Sequence, residues 1–445
     1  MKSSAEFKAL YAAKTPASRA LSERALRTLP AGVVANVKYF PPYPLFMQRA
    51  GGSHVWDVDG NEYVDYCLAF GPLILGHGHP AVARAVQESF EKWGTTIFGT
   101  PHELEVTYAE KLLSMLPVAG KVRVTNSGSE ATYLAMQLGR AATGKPGIAR
   151  FEGHYHGWHY EGVLSNAPRS AECGDPRRPA SVAGSLGTPA SLLDETLVLP
   201  FNDLEACTAL LTENRERIGT VILEPVPRAF YDTDPGFLDG LRALTTNLGM
   251  VLVFDEVMSG FRTGPRGATG IFGVEPDLLT LGKIIGGGFP IGAVVGRPDL
   301  LDLTSPTSAG GSVFHSGTFN GTVQVLAAGL ATLDILSDEP LVRSFFGRTE
   351  AFKADIGRLL ESHRIPGRVA GMGANFGVMM TPSPIRNYRD LQSEDAALRE
   401  AFDYACLTEG VYVHPHKPFY TSLVHSDQDY ESTLRALDRI FAAIH

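Results

Sequence analysis

Two apolar runs in this 445-residue chain end on groups that could work together: Val251-Leu-Val-Phe stops at Asp255, and Leu278-Leu-Thr-Leu-Gly stops at Lys283. Both runs read as strands, which puts a carboxylate and an amine at the carboxyl ends, where parallel sheets collect ligands. Burial beside Leu281, Ile284 and Ile285 would disfavour the charged amine and make it nucleophilic. A carboxylate closing an apolar strand is costly without a partner. An amine that condenses with an aldehyde, and an acid that keeps a pyridine nitrogen protonated, form the layout a pyridoxal-phosphate site needs. The same pair would also serve as a structural salt bridge between neighbouring strands.

Further motifs cluster around that pair. In Asn126-Ser127-Gly128-Ser129-Glu130, Ser127 and Glu130 have capping-box spacing before the apolar face Ala131, Leu134, Ala135, Leu138. Free N–H groups and the helix dipole at such a turn favour a phosphate, although an ordinary N-cap has the same sequence. His154-Tyr155-His156-Gly157-Trp158-His159 follows a strand-like run. Tyr155 could stack on a heteroaromatic ring. The three histidines could bind metal, but no nearby acid completes a ligand set, so no metal is expected. Glu224 and Asn202 each follow an apolar run. Asn202 could donate to a ring oxygen and Glu224 could orient Asn202 or the lysine; either could equally be a turn residue.

These side chains need a scaffold. Residues 54–65 read as a hairpin about Asp59-Gly60, and helices are expected over 5–30, 80–93, 102–116, 129–142, 236–248 and 321–336. Strands are expected over 121–125, 220–224 and 250–255. Alternation of this kind implies an α/β fold with a mainly parallel sheet covered on both faces. Residues 66–325 form the expected large domain, with 1–65 and 326–445 contributing to a smaller α+β one. The Pro-, Gly- and Ser-rich segment 157–196 reads as a functional lid or a disordered loop. The net charge of −9 argues against nucleic acid or anionic lipid as a partner. The four cysteines (67, 173, 207 and 406) have no metal or C-x-x-C spacing, and no signal peptide or membrane-spanning run is present, so a cytoplasmic location is expected.

Taken in order, Trp56-Asp-Val-Asp-Gly-Asn, Gly76-His-Gly-His-Pro80, Asn126-Ser-Gly-Ser-Glu130, Tyr155-His-Gly157, Glu224-Pro-Val, Asp255-Glu-Val-Met-Ser-Gly-Phe-Arg262, Leu281-Gly-Lys283 and His315-Ser-Gly-Thr318 resemble the class III aminotransferases. The resemblance implies the type I pyridoxal-phosphate fold with a seven-stranded sheet. It also implies the roles: Lys283 as Schiff-base lysine and proton carrier, Asp255 on the pyridine nitrogen, Tyr155 and Val257 on the two ring faces. Ser127 and the amides of Gly128 and Ser129 would hold the phosphate, and Thr318 would reach the phosphate of a second subunit, which implies a homodimer.

Within that class the chain is similar to the glutamate-1-semialdehyde 2,1-aminomutases and related transaminases. Lys38 stands where that branch carries a carboxylate-binding arginine, which removes bidentate recognition while keeping the charge. The C-terminal His414-Pro-His416-Lys417 lacks the branch's glutamate, and Tyr155-His-Gly-Trp158-His is similar to a motif of D-phenylglycine aminotransferases. The C-terminal stretch is similar in length to that of β-phenylalanine aminotransferases. The expected activity is amino transfer between a carboxylate-bearing amino acid and an oxo acid, with Lys38, Trp158 and His416 as substrate-side candidates. Intramolecular amino transfer and racemisation are the alternatives on the same scaffold. A non-catalytic binding module would have no reason to keep both Lys283 and Asp255.

Overall fold

The computed structural model describes residues 2–118, 120–229, 231–308 and 310–444. Seven strands form the main sheet: β1 (Lys121–Thr125), β2 (Gly147–Phe151), β3 (Thr196–Leu199), β4 (Ile218–Leu223), β5 (Val251–Asp255), β6 (Leu278–Gly282) and β7 (Gly292–Gly296). Their spatial order is β1-β7-β6-β5-β4-β2-β3. β7 runs antiparallel to both β1 and β6, and the remaining pairs are parallel. Every residue of β2, β4, β5, β6 and β7 is buried, so these strands read as continuous apolar runs rather than alternating ones.

Helices cover the sheet. Gly128–Thr143 buries Ala131, Leu134, Ala135, Met136 and Leu138 against it. The opposite face carries the larger apolar cluster, in which Leu252 and Phe254 of β5 meet Leu279 and Leu281 of β6. Alternate residues of each strand thus serve opposite layers, which fixes the strand register.

A second apolar cluster joins the two ends of the chain: Phe7, Tyr11, Phe40 and Tyr63 pack with Phe352, Phe402, Leu437 and Phe441. Strand Val411–Tyr412 adds in parallel to Glu62–Asp65, completing a four-stranded sheet. The hairpin expected over 54–65 consists of His54–Asp57 and Glu62–Asp65. Buried Asp57 fixes its turn, Oδ1 accepting from Asp59 N (3.0 Å) and Asn61 N (2.8 Å).

Segment 157–196 is more ordered in architecture than its composition suggests. It holds the short helices Tyr160–Val163 and Ala190–Glu195 and a hairpin of Gly174–Asp175 with Arg178–Pro179. Arg389 pins it, bridging the Glu152 carboxylate (2.8 Å) to the carbonyls of Cys173 (2.9 Å) and Gly174 (2.9 Å). These anchors come from far along the chain, where local composition carries no trace of them. Among the described residues, no helix is long and apolar enough to cross a membrane.

Candidate active site

A cavity of about 510 Å³ opens at the carboxyl ends of the parallel strands. Ser127, Gly128, Ser129, Tyr155, Glu224, Asp255, Val257 and Lys283 all line it. Strand order explains their meeting: β4, β5 and β6 are consecutive in space, so the residues that follow them converge.

Asp255 is held from several directions. Its Oδ1 accepts from Val257 N (3.1 Å) and Thr280 Oγ1 (3.1 Å), and its Oδ2 lies 2.7 Å from His156 Nδ1. Burial pushes the carboxyl up to about 6, while the Val257 N–H and the Lys283 charge pull it back. Burial also drives His156 well below the usual imidazole range. Among the described residues its buried Nε2 has no partner.

Lys283 begins the turn after β6 with φ +51°, a left-handed conformation costing of order 1 kcal/mol for a residue with a Cβ. Strain of this kind is typical of functional positions. Burial brings the amine down to about 8, with Arg262 adding to the fall and Asp255 and Glu224 opposing it. Among the described residues the amine makes no hydrogen bond or ion pair, although Asp255 and Lys283 end neighbouring strands. The structural salt bridge is thus absent at 4 Å.

Glu224 accepts from Tyr155 N (2.7 Å) and Arg228 N (3.2 Å), and burial pushes its carboxyl up to about 7. It orients the Tyr155 backbone rather than Asn202. His154 Nδ1 accepts from Glu224 N (3.0 Å) and His159 Nδ1 accepts from Gly162 N (3.1 Å), and among the described residues no three His, Cys, Asp or Glu side chains are grouped to hold a metal ion.

The phosphate-like end is the N-terminus of the helix Gly128–Thr143. Ser127 Oγ accepts from Glu130 N (3.2 Å), while the Glu130 carboxylate takes Asn126 N (2.7 Å) rather than the cap's own amide. Small residues are required here. A Cβ on Gly128 would lie 2.6 Å from Val257 Cγ1, and one on Gly157 would lie 2.7 Å from Ser129 Oγ.

Five expected residues stand outside the cavity. Asn202 is a correction: its Nδ2 donates to the carbonyls of Asp232 (2.7 Å) and Arg386 (2.7 Å), and its Oδ1 accepts from Asp234 N (3.0 Å). It ties loops together, and its left-handed φ of +64° suits that turn. Thr318 is exposed between Phe314 and Phe319, which are 85% and 66% exposed. Lys38 is exposed in the turn Asn36–Lys38, and Trp158 is 80% exposed. The His416 amide donates to Asp403 Oδ2 (2.8 Å) and its ring lies on the surface. His156, in contrast, was seen in the sequence only as one of three histidines. Its role as an Asp255 partner depends on contact across β4, for which the one signal was its position directly after an apolar strand.

The aminotransferase class-III family model matches residues 35–441. The chain belongs to the class III aminotransferases. A curated glutamate-1-semialdehyde 2,1-aminomutase from Methanocaldococcus jannaschii is 37% identical over 438 residues, spanning 97% of this chain and all of the relative. Among solved structures, an omega-transaminase from Sphaerobacter thermophilus superposes with TM-score 0.91 at 33% identity, covering 96% of this chain and 98% of its own. A β-phenylalanine aminotransferase from Variovorax paradoxus superposes with TM-score 0.89 at 30% identity, covering 99% and 97%. The cofactor of this class III enzyme is pyridoxal 5′-phosphate, and the fold is type I. The cavity fits that group: an unbonded amine, a carboxylate with donors already on both oxygens, and a glycine-lined helix start face one space.

Proposed function

We propose that the chain is an intermolecular aminotransferase, moving an amino group between a carboxylate-bearing amino acid and an oxo acid. Aromatic, β- and D-amino acids are the donors to test first. The observation that carries this reading is the single exposed ammonium of Lys38 where an aminomutase would place a bidentate guanidinium. A lone point charge tolerates carboxylates in more than one pose, as two different substrates require. The likeness to an omega-transaminase and to a β-phenylalanine aminotransferase supports the same reading.

Each residue then has a task. The cofactor, when bound, supplies a protonated ring that takes up the electron pair left on substrate carbon as its proton departs. Lys283 Nζ holds that proton and returns it. Asp255 is steadied by His156, Val257 N and Thr280, and its negative charge would keep the ring nitrogen protonated. Glu224 fixes the Tyr155 backbone, and Tyr155 and Val257 would hold the ring between them. Ser127 and the Gly128 and Ser129 amides would hold the phosphate. The donor leaves as an oxo acid and the acceptor takes up the nitrogen, so no outside oxidant is needed. Thr318 would complete the phosphate site of a second copy, with Phe314 and Phe319 buried between the subunits of a homodimer.

The 37% identity to an aminomutase keeps intramolecular amino transfer as the second reading. Loaded protein is to be mixed with amino acids of both hands, with and without an added oxo acid. Turnover that continues only with the oxo acid is expected. Repeated conversion of an amino aldehyde with no oxo acid present would establish the aminomutase reading instead.

A further inference from the structure

Asp65 ends the strand Glu62–Asp65 and is buried, outside the lining of the cavity. Its Oδ1 accepts from Cys67 N (2.7 Å) and Leu68 N (2.9 Å), and its Oδ2 lies 2.7 Å from His77 Nε2. One carboxylate thus joins the two ends of the loop between Asp65 and His77. His77 brings in a third stretch: its N–H donates to Gly52 O (2.8 Å) and its carbonyl accepts from Gly52 N (2.9 Å). Gly76 is required for that approach, since a Cβ there would lie 2.6 Å from Gly52 O.

The loop so joined is strained. Leu68, Ala69, Phe70 and Gly71 are all left-handed, with φ of 43°, 55°, 64° and 105°. Such a run persists only where its surroundings hold it. Asp65 holds the entry, at the amides leading into the run. Arg262, whose guanidinium lies 5.1 Å from the centre of the Tyr420 ring, holds the exit through Gly71 O. Between those points Ala69 lines the cavity, and Pro72 lines it just beyond. Pro72 also lines a second, mainly apolar cavity of about 450 Å³, with Leu73, Leu75, Val82 and Val86. The loop is therefore a wall with a cavity on each side, and the contacts at its ends decide where it stands.

We propose that Asp65, braced by His77, is a positioning residue that limits the bulk of the amine the cavity admits, by holding the Leu68–Gly71 loop forward as its wall. The carboxylate acts through the two amides. Released at its entry, the loop can retreat toward the cavity behind it, and larger groups then fit beside Ala69. This deepens the proposed function, and rests on the same cavity as the place where the amino donor binds. The motif Gly76-His-Gly-His-Pro80 gains a task, since His77 is the brace.

The test uses two amines that react with pyridoxal phosphate without help from the protein, hydroxylamine and the bulkier O-benzylhydroxylamine. Loaded full-length protein is mixed with each, and loss of the visible cofactor band gives the two rates. In Asp65→Ala the rate for the benzyl reagent, relative to hydroxylamine, should rise about fivefold or more. Asp65→Asn, which keeps an oxygen for the two amides, should stay within about twofold of wild type. His77→Ala should give a smaller rise, and takes the place of Asp65→Ala if that variant fails to fold by circular dichroism. In the cofactor-free chain, amide exchange over residues 66–72 should quicken about tenfold in Asp65→Ala and less in His77→Ala, with the helix Gly128–Thr143 unchanged. An unmoved or lowered ratio, or a ratio that rises without faster exchange, would overturn the proposal. So would an Asp65→Asn ratio that rises as far as that of the alanine variant. Wild-type protein that reacts with both reagents yet transfers no amino group would sink the proposed function and leave this inference standing.

Discussion

At the floor of the cavity, Asp255, Glu224 and Lys283 stand at or just beyond the ends of strands that the sheet holds on both sides. Outside the cavity, Lys38, Trp158 and His416 stand on turns and are exposed. The floor spends buried hydrogen bonds on fixing charges: two backbone amides on Glu224, and an amide, a hydroxyl and an imidazole on Asp255. The outer residues make few such commitments. Chemistry common to every substrate needs the first kind of construction, because proton transfer tolerates little misplacement. Choice among substrates can be made by the second.

The contrast is broken most directly at the floor. Lys283→Ala should lower amino transfer by at least about 10³-fold, since it removes both the covalent anchor and the proton carrier. Borohydride should no longer fix the cofactor to the chain, as mass spectrometry would show. Near-normal turnover in this variant would separate the floor from the chemistry.

Asp255→Asn is expected to lower kcat by about 10²–10³-fold while stabilising the cofactor-free protein. The folded carboxyl, raised to about 6 from 3.8, binds its proton more tightly than the unfolded one. Its favourable contribution is therefore full below 3.8 and is lost as pH rises through 6. At pH 8 the buried charge costs up to about 3 kcal/mol, which asparagine relieves. The melting temperature of the variant should exceed that of wild type at pH 8, with the gap closing toward pH 4. A gap that widened on acidification would show that Asp255 is stabilised, not strained, in its site.

This division also governs what could be read from the sequence. The strands of the main sheet and the helix behind Ser127 announce themselves by apolar runs, spacing and turn residues, so the strand-end positions of Asp255 and Lys283 and the turn at Ser127 could be read there. Asn202 did not, because a polar residue after an apolar run looks the same whether it faces a ligand or ties two loops. His156 and Arg262 depend on contacts across β4 and with Gly71 and Tyr420, which no local pattern records. The anchoring of 157–196 by Arg389 is invisible for the same reason.

A milder effect is expected where the floor is closely packed. Gly128→Ala places a methyl 2.6 and 2.8 Å from the two Val257 methyls. Overpacking of this kind costs about 1–3 kcal/mol and should weaken cofactor binding about tenfold. Val257→Ala in the same chain should restore most of that affinity, measured by fluorescence titration. Failure of the second change to rescue would place the damage at the helix amides instead.

The smallest effects belong to the exposed residues outside the cavity. Lys38→Ala removes an exposed ammonium, so folding stability should change by no more than about 0.5 kcal/mol. If that ammonium meets the substrate carboxylate, KM for carboxylate donors should rise about three- to tenfold with kcat nearly unchanged. The rise should shrink in high salt, because an exposed charge is screened. Amine donors without a carboxylate should show no change. A fall in kcat with KM intact would instead mean that Lys38 reaches the reacting atoms, and that the cavity floor and the exposed residues outside it are not as separate in function as they are in construction.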